Sequence, residues 1–177
     1  VKAFTVVADA AMISSENITH LNQNEINYIV GARLGNLSIK LLGTIDEQIV
    51  RQDGKSIRIK TELGYLICSY SSVRYRKDLY EMNKQIEKAK QVVEVPSKSR
   101  KLKFTKTNDQ KMELNEELIE KTKKLLGIKG YYTSLEENIA DNKTIIERYH
   151  ELYKIEQAFR VSKGDLQTRP LFHFKEQ

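Results

Sequence analysis

The apolar positions of the chain change rhythm twice along its length. "FTVVADA" (4–10) is a short continuous apolar run that ends at an acid. Runs of that kind read as strands buried on both faces, as in the centre of α/β sheets. Ser14 or Ser15 then offers a helix N-cap, with Glu16 suited to the positive end of a helix reaching about Leu21. "NQNEIN" breaks that pattern, and "YIVGAR" (28–33) supplies the next apolar run. The opening therefore predicts β-α-β, with Asp9 at the carboxyl end of the first strand. Open α/β sheets place their chemistry at that edge.

From about Leu34 to Gly130 the rhythm is different. "NLSIKLLGTIDEQIV" reads as a helix, "DGKSIRIKTELGYLICSYS" as a hairpin, and "VRYRKDLYEMNKQIEKAKQVV" as a long charged helix ended by Pro96. "SRKLKFTK" reads as a basic, edge-like strand. "NEELIEKTKKLLG" predicts a helix capped by Asn115, with acids in its first turn and Gly127 as C′, and "GYYTSL" a further strand. No repeat and no sustained β-α-β alternation runs through these elements, which suggests a mixed insertion.

The last unit is a helix predicted over 142–163, capped by Asp141, with Gly164 and Pro170 as stop signals. At about 100° per residue its stripe includes Ile145, Tyr149, Leu152, Glu156 and Phe159, and Lys163 continues it. Glu156 thus falls near the middle of the face expected to pack. A carboxylate buried there without a partner is costly. Arg160 at i+4, or another cation, is one partner. A metal ion shared with Asp9 is another, because Mg²⁺ prefers carboxylate oxygens and keeps waters for substrate phosphates. Two such ions about 3.5–4 Å apart can activate a water and stabilise the leaving oxygen of a phosphodiester. On that reading Asp9 and Glu156 face one shared cleft and Tyr149 and Lys163 open onto it. On the other, Glu156 pairs with Arg160 at a solvent edge and Asp9 caps an unrelated turn.

Length and composition narrow the class. The 177 residues suit one ordinary domain, or one carrying an insertion. With 40% apolar and 31% charged residues the chain is neither disordered nor membrane-spanning, and no apolar run approaches the roughly 20 residues a bilayer requires. Val1 opens directly into an apolar strand without a leader, so the chain is expected to be a piece of a longer protein. The lone Cys68 excludes an internal disulfide, fits a reducing compartment, and reads as a buried small apolar residue rather than a nucleophile. Net charge is +6. "KSRKLKFTK" carries five cations and "RYRK" (74–77) three, a distribution that suits a polyanion or a merely solvated surface. His20, His150 and His173 have no zinc-like spacing, and no phosphate-loop, dinucleotide or nucleophile-elbow motif occurs.

Four stretches together, "VVADAAMISSENITHL", "YIVGAR", "YSSVRYRKD" and "YHELYKIEQAFRVSKGDLQTRPLFH", resemble the DDE transposases of bacterial insertion sequences. The closer likeness is to the branch with a Y-x2-R-x3-E-x6-K signature. The resemblance implies an α/β fold (α+β overall): a partial ribonuclease-H-like core at 1–33 and 141–177, interrupted by an α+β insertion at 34–140. It implies that Asp9 and Glu156 are the second and third catalytic acids and bind Mg²⁺, or Mn²⁺ in its place. The first aspartate is expected upstream, so the fragment alone is expected to be inactive. Tyr149 and Lys163 fall at the ends of the signature, where the family contacts DNA; Arg160 and Arg169 are further candidates for the DNA backbone. Leu152 stands at the signature's arginine position, so no contact is carried over there. Expected partners are insertion-sequence ends and target DNA, with a homodimer in the intact protein, no membrane, and a bacterial cytoplasmic location. The alternatives are a metal-dependent nuclease on the same core, an inactive DNA-binding relic, and a structural module with a basic surface.

Overall fold

A computed structural model describes residues 4–11, 14–94, 102–108 and 111–164. It is a mixed α/β structure. β1 (Thr5–Ala8), α1 (Ser15–Gln23) and β2 (Asn27–Ala32) open the chain, followed by a 3-10 turn at Leu34–Asn36 and α2 (Ile39–Gln48). Ser14 caps α1 by accepting from the Asn17 N–H at 3.0 Å, and Ser38 caps α2 through the Leu41 N–H. The hairpin β3 (Ser56–Thr61) and β4 (Gly64–Tyr70) then leads into α3 (Ser72–Glu94). Gly64 turns that hairpin with φ 87°, and a side chain there would strike the Thr133 carbonyl.

The basic strand expected over "SRKLKFTK" is corrected. Its first residues, 99–101, lie outside the described residues. Leu102–Phe104 form a turn closed by the Leu102 N–H and the Thr105 hydroxyl at 3.1 Å, and Phe104 is fully buried. Strand structure starts only at β5 (Thr105–Asn108), which pairs with β6 (Lys111–Leu114), a strand that the apolar pattern did not suggest. Burying Phe104 with Met82, Ala89, Ile119 and Leu126 anchors this hairpin between α3 and α4 (Glu116–Lys124). Asn115 caps α4 as expected, accepting from the Leu118 N–H at 3.0 Å. Gly127 lies two residues beyond the Leu125 C-cap, not at C′, with φ 77°.

β7 (Ile128–Thr133) completes a five-stranded sheet of order β1-β2-β7-β4-β3. β1 and β2 are parallel; every other pairing is antiparallel. The segment 34–140 thus supplies three of the five strands, and β7 pairs with β2 directly. Both faces are covered. Tyr28, Val30, Leu66 and Tyr132 pack towards α1 and α2 with Ile18 and Ile45. Ile29, Ile67 and Tyr131 pack on the other face against Ile145 of α5 (Asn142–His150). Asp141 caps α5 through the Thr144 N–H at 2.8 Å. Arg58 of β3 fixes where α5 starts: it donates to Asn142 Oδ1 at 2.9 Å and to the Leu135 and Ala140 carbonyls at 3.0 and 2.6 Å.

The single helix expected over 142–163 is two helices, α5 and α6 (Leu152–Gly164), divided at Glu151. The Glu151 N–H is shared between the Glu147 and Arg148 carbonyls, and its own carbonyl accepts from Lys154 at 3.0 Å. Such i+3 bonding tightens the turn locally, while Glu151 keeps helical dihedrals of φ −65° and ψ −22°. Tyr153, Ile155 and Phe159 of α6 are exposed, Phe159 by 64%. Among the described residues no helix is long and apolar enough to cross a membrane.

Candidate functional site

Strand direction gathers the site. With β1 parallel to β2, and β7 antiparallel to both β2 and β4, the carboxyl ends of β1, β2 and β4 share one edge with the amino end of β7. Asp9 leaves the sheet at that edge and Lys129 enters at it. α5 lies across the same face, and α6 continues from its end. Between them is a cleft of about 460 Å³ lined by Asp9, Lys129, Tyr149 and Glu156, with His150, Leu152 and Tyr153 around them. Three sequence-chosen residues, Asp9, Tyr149 and Glu156, therefore meet in one place.

Each is held differently. Asp9 is exposed, and one of its carboxylate oxygens accepts from the Ala11 N–H at 2.6 Å, which turns the chain away from β1. Tyr149 is half-buried, its ring edge-on to Tyr131 with centroids 4.8 Å apart. Its hydroxyl rests on the backbone of Gly31, where a Cβ would stand 2.6 Å from the oxygen. Burial pushes the Tyr149 phenol up, and the nearby charges of Asp9 and Glu156 add to that. Both carboxylates thus act on one hydroxyl.

Glu156 is exposed, which corrects the expectation that it lies on a packed face. Its exposure removes the desolvation cost that would demand a partner. Among the described residues no ion pair joins it to Arg160, which is also exposed and does not line the cleft. Lys163 lies in α6, but its side chain is outside the described residues, as is the whole of Arg169.

Lys129 is the residue that the sequence reading missed. It is half-buried, with Nζ 4.7 Å from the centre of the Tyr149 ring and 5.4 Å from that of Tyr131. Burial lowers its pKa, the Arg74 charge lowers it further, and Glu156 opposes both. His150 Nε2 lies 3.2 Å from the Tyr131 hydroxyl; burial, then the Lys129 charge, lowers its pKa. Burial pushes Tyr131 up to about 12, so it remains a neutral phenol. A signal for Lys129 exists in the sequence: "IKGYYT" is an apolar strand interrupted by one cation, as the helical stripe over 145–159 is interrupted by Glu156. Cys68 is fully buried in β4, its thiol pushed up to about 12 by burial, and so behaves as a core residue.

A divalent metal fits this donor set in part. Two carboxylates facing one wet cleft, from β1 and from α6, suit a hard cation that takes one or two protein carboxylates and completes its shell with water and phosphate. Among the described residues no cluster of three or more acid, histidine or cysteine ligands occurs. The residues present therefore fit a two-carboxylate site, not a closed protein cage. No protein-family model, curated protein or solved structure matches the chain.

Proposed function

We propose that the chain is part of the catalytic domain of a DDE transposase, cutting and joining DNA at insertion-sequence ends. The observation that carries this reading is the meeting of Asp9 and Glu156, far apart in sequence, in one cleft at the carboxyl edge of the parallel strands, beside Tyr149. The spacing Tyr149, Glu156, Lys163 supports the same reading through the family's signature. On it, β1, α1, β2 and α5–α6 belong to a ribonuclease-H-like core, and the remaining strands extend its sheet.

Asp9 and Glu156 would hold Mg²⁺ or Mn²⁺. The bound metal would supply Lewis acidity to an attacking water or 3′-hydroxyl and to the leaving oxygen. The chain's own part is positional. The short bond from the Ala11 N–H engages one Asp9 oxygen, so the other would be the one to meet a metal. The Tyr149 hydroxyl, kept protonated by burial and by the two acids, can donate to a phosphate oxygen. Lys163, Arg160 and Arg169 would add charge along the DNA backbone.

The test is Mn²⁺ binding followed by paramagnetic broadening of amide signals. Broadening should centre on Asp9 and Glu156 and be lost in both Asp9→Asn and Glu156→Gln. In the complete enzyme, Glu156→Gln should abolish cleavage while sparing end binding. Broadening that survives both substitutions, or normal turnover of Glu156→Gln, rejects the assignment.

A further inference from the structure

Beyond the acid cleft, the surface around Lys129 opens into a second cavity of about 310 Å³, and Lys129 lines both. The second cavity lies between the amino end of β7, the turn after β2 and the first turns of α3. Arg74 and Lys103 line it together with Lys129, three cations facing the acids Asp78 and Glu81. Asp78 is already engaged: Oδ2 lies 3.3 Å from Arg74 Nε and accepts from the Gly127 N–H at 3.2 Å.

The topology dictates this crowding. Ser69 of β4 pairs with Lys129 of β7, and a few residues later the chain turns into α3, which carries Arg74 in its first turn. Two cations thus stand at one sheet edge, where Arg74 acts on Lys129 through space. Among the described residues no carboxylate comes within ion-pair distance of Lys129 Nζ, which instead rests over two tyrosine rings. A half-buried ammonium beside a like charge is an arrangement that an arriving anion stabilises.

We propose that Lys129 and Arg74 form a phosphate-binding site adjoining the acid cleft, where they hold one backbone phosphate of a DNA strand whose neighbouring phosphodiester lies between Asp9 and Glu156. The identity of the strand as DNA rests on the function proposed above; the phosphate chemistry rests on the two cations. Lys129 is thereby a positioning residue shared by both cavities. It would set the register of the strand, because it lines the cavity and the acid cleft at once.

The experiment is the salt dependence of binding of a short labelled oligodeoxynucleotide, single-stranded and duplex, by the 177-residue chain in EDTA, so that metal plays no part. Lys129→Gln and Arg74→Gln should each weaken binding several-fold and lower the slope of log K against log salt by about 0.9 for the duplex or about 0.7 for the single strand, one phosphate contact each. Lys129→Arg should retain the wild-type slope. Lys143→Gln, at an exposed cation on α5 that lines neither cavity, should change neither quantity. Exposed Arg74 keeps the test usable if Lys129→Gln fails to fold. Wild-type slopes in both Lys129→Gln and Arg74→Gln, or no binding by the wild type, overturn the phosphate site. Lowered slopes alongside Mn²⁺ binding that ignores Asp9→Asn and Glu156→Gln would instead sink the metal assignment and leave the phosphate site standing.

Discussion

Gly31→Ala tests how Tyr149 is seated. Gly31 lies in β2 between β1 and β7, and its added Cβ would meet Tyr149 Oη at 2.6 Å, the Ala10 nitrogen at 3.1 Å and Tyr149 Cζ at 3.2 Å. The first contact is shorter than any real Cβ tolerates, so the tyrosine must tilt out of its edge-on packing against Tyr131. Overpacking of this kind costs about 1–3 kcal/mol. Alanine in a strand recovers about 0.5–1 kcal/mol of backbone entropy relative to glycine. The net loss expected is therefore about 0–2.5 kcal/mol, centred a little above 1, or a fall in Tm of up to about 10 °C for a chain of this size. Removing the hydroxyl removes the worst contact. In a Tyr149→Phe background the two remaining contacts need only a few tenths of an ångström, so Gly31→Ala should be nearly neutral. Urea unfolding of the wild type, both single variants and the double variant gives the coupling directly, with about 1 kcal/mol expected. Equal destabilisation by Gly31→Ala in both backgrounds would show that the Tyr149 hydroxyl does not rest on Gly31, and the geometry of the cleft would have to be redrawn.

Two further outcomes rest on contacts that support the site. Arg58→Lys should cost about 2–3 kcal/mol in urea unfolding and speed amide exchange in α5, because a single ammonium cannot serve Asn142 and the Leu135 and Ala140 carbonyls together; an unchanged stability would mean that α5 is held by its apolar face alone. Asp53 accepts from the Ser72 hydroxyl and N–H, both at 2.6 Å, and these bonds, hydroxyl first, hold its carboxyl below the ordinary 3.8. Its contribution is therefore fully present above that value and lost as pH falls through the lower folded-state pKa, so Asp53→Asn should flatten part of the decline in Tm below about pH 4, whereas an identical decline in both proteins would contradict the bond.

What the sequence disclosed depended on whether the governing interaction was local. Ser14, Asn115 and Asp141 cap their helices as their positions in the sequence suggested, since a cap is settled within three residues. The hairpin β3–β4 was legible from its alternating run and turn. Strand neighbours were not. Nothing in "IKGYYT" says that β7 lies between β2 and β4, because that choice depends on burying Tyr131 on one face and Ile128 and Tyr132 on the other. β6 was hidden for the opposite reason: "KMEL" alternates exposed and half-buried positions and gains its strand only by pairing with β5.

At the site, spacing and burial part company. A helical stripe running from Ile145 through Phe159 would bury Glu156, yet Ile145 and Tyr149 join the packed core while Glu156 and Phe159 are exposed. Glu156 lines the cleft as an exposed residue, with Tyr149, Leu152 and Tyr153 beside it at helical spacing. Lys129 satisfies the original logic better. It is half-buried, it interrupts an apolar strand flanked by core residues, and among the described residues it has no ion-pair partner. A charge that breaks a buried pattern needs compensation from somewhere, and for Lys129 the compensation on hand is two aromatic faces and the field of Glu156. That is partial compensation for an ammonium that also faces Arg74, and it is the reason a phosphate is the ligand best matched to this edge of the sheet.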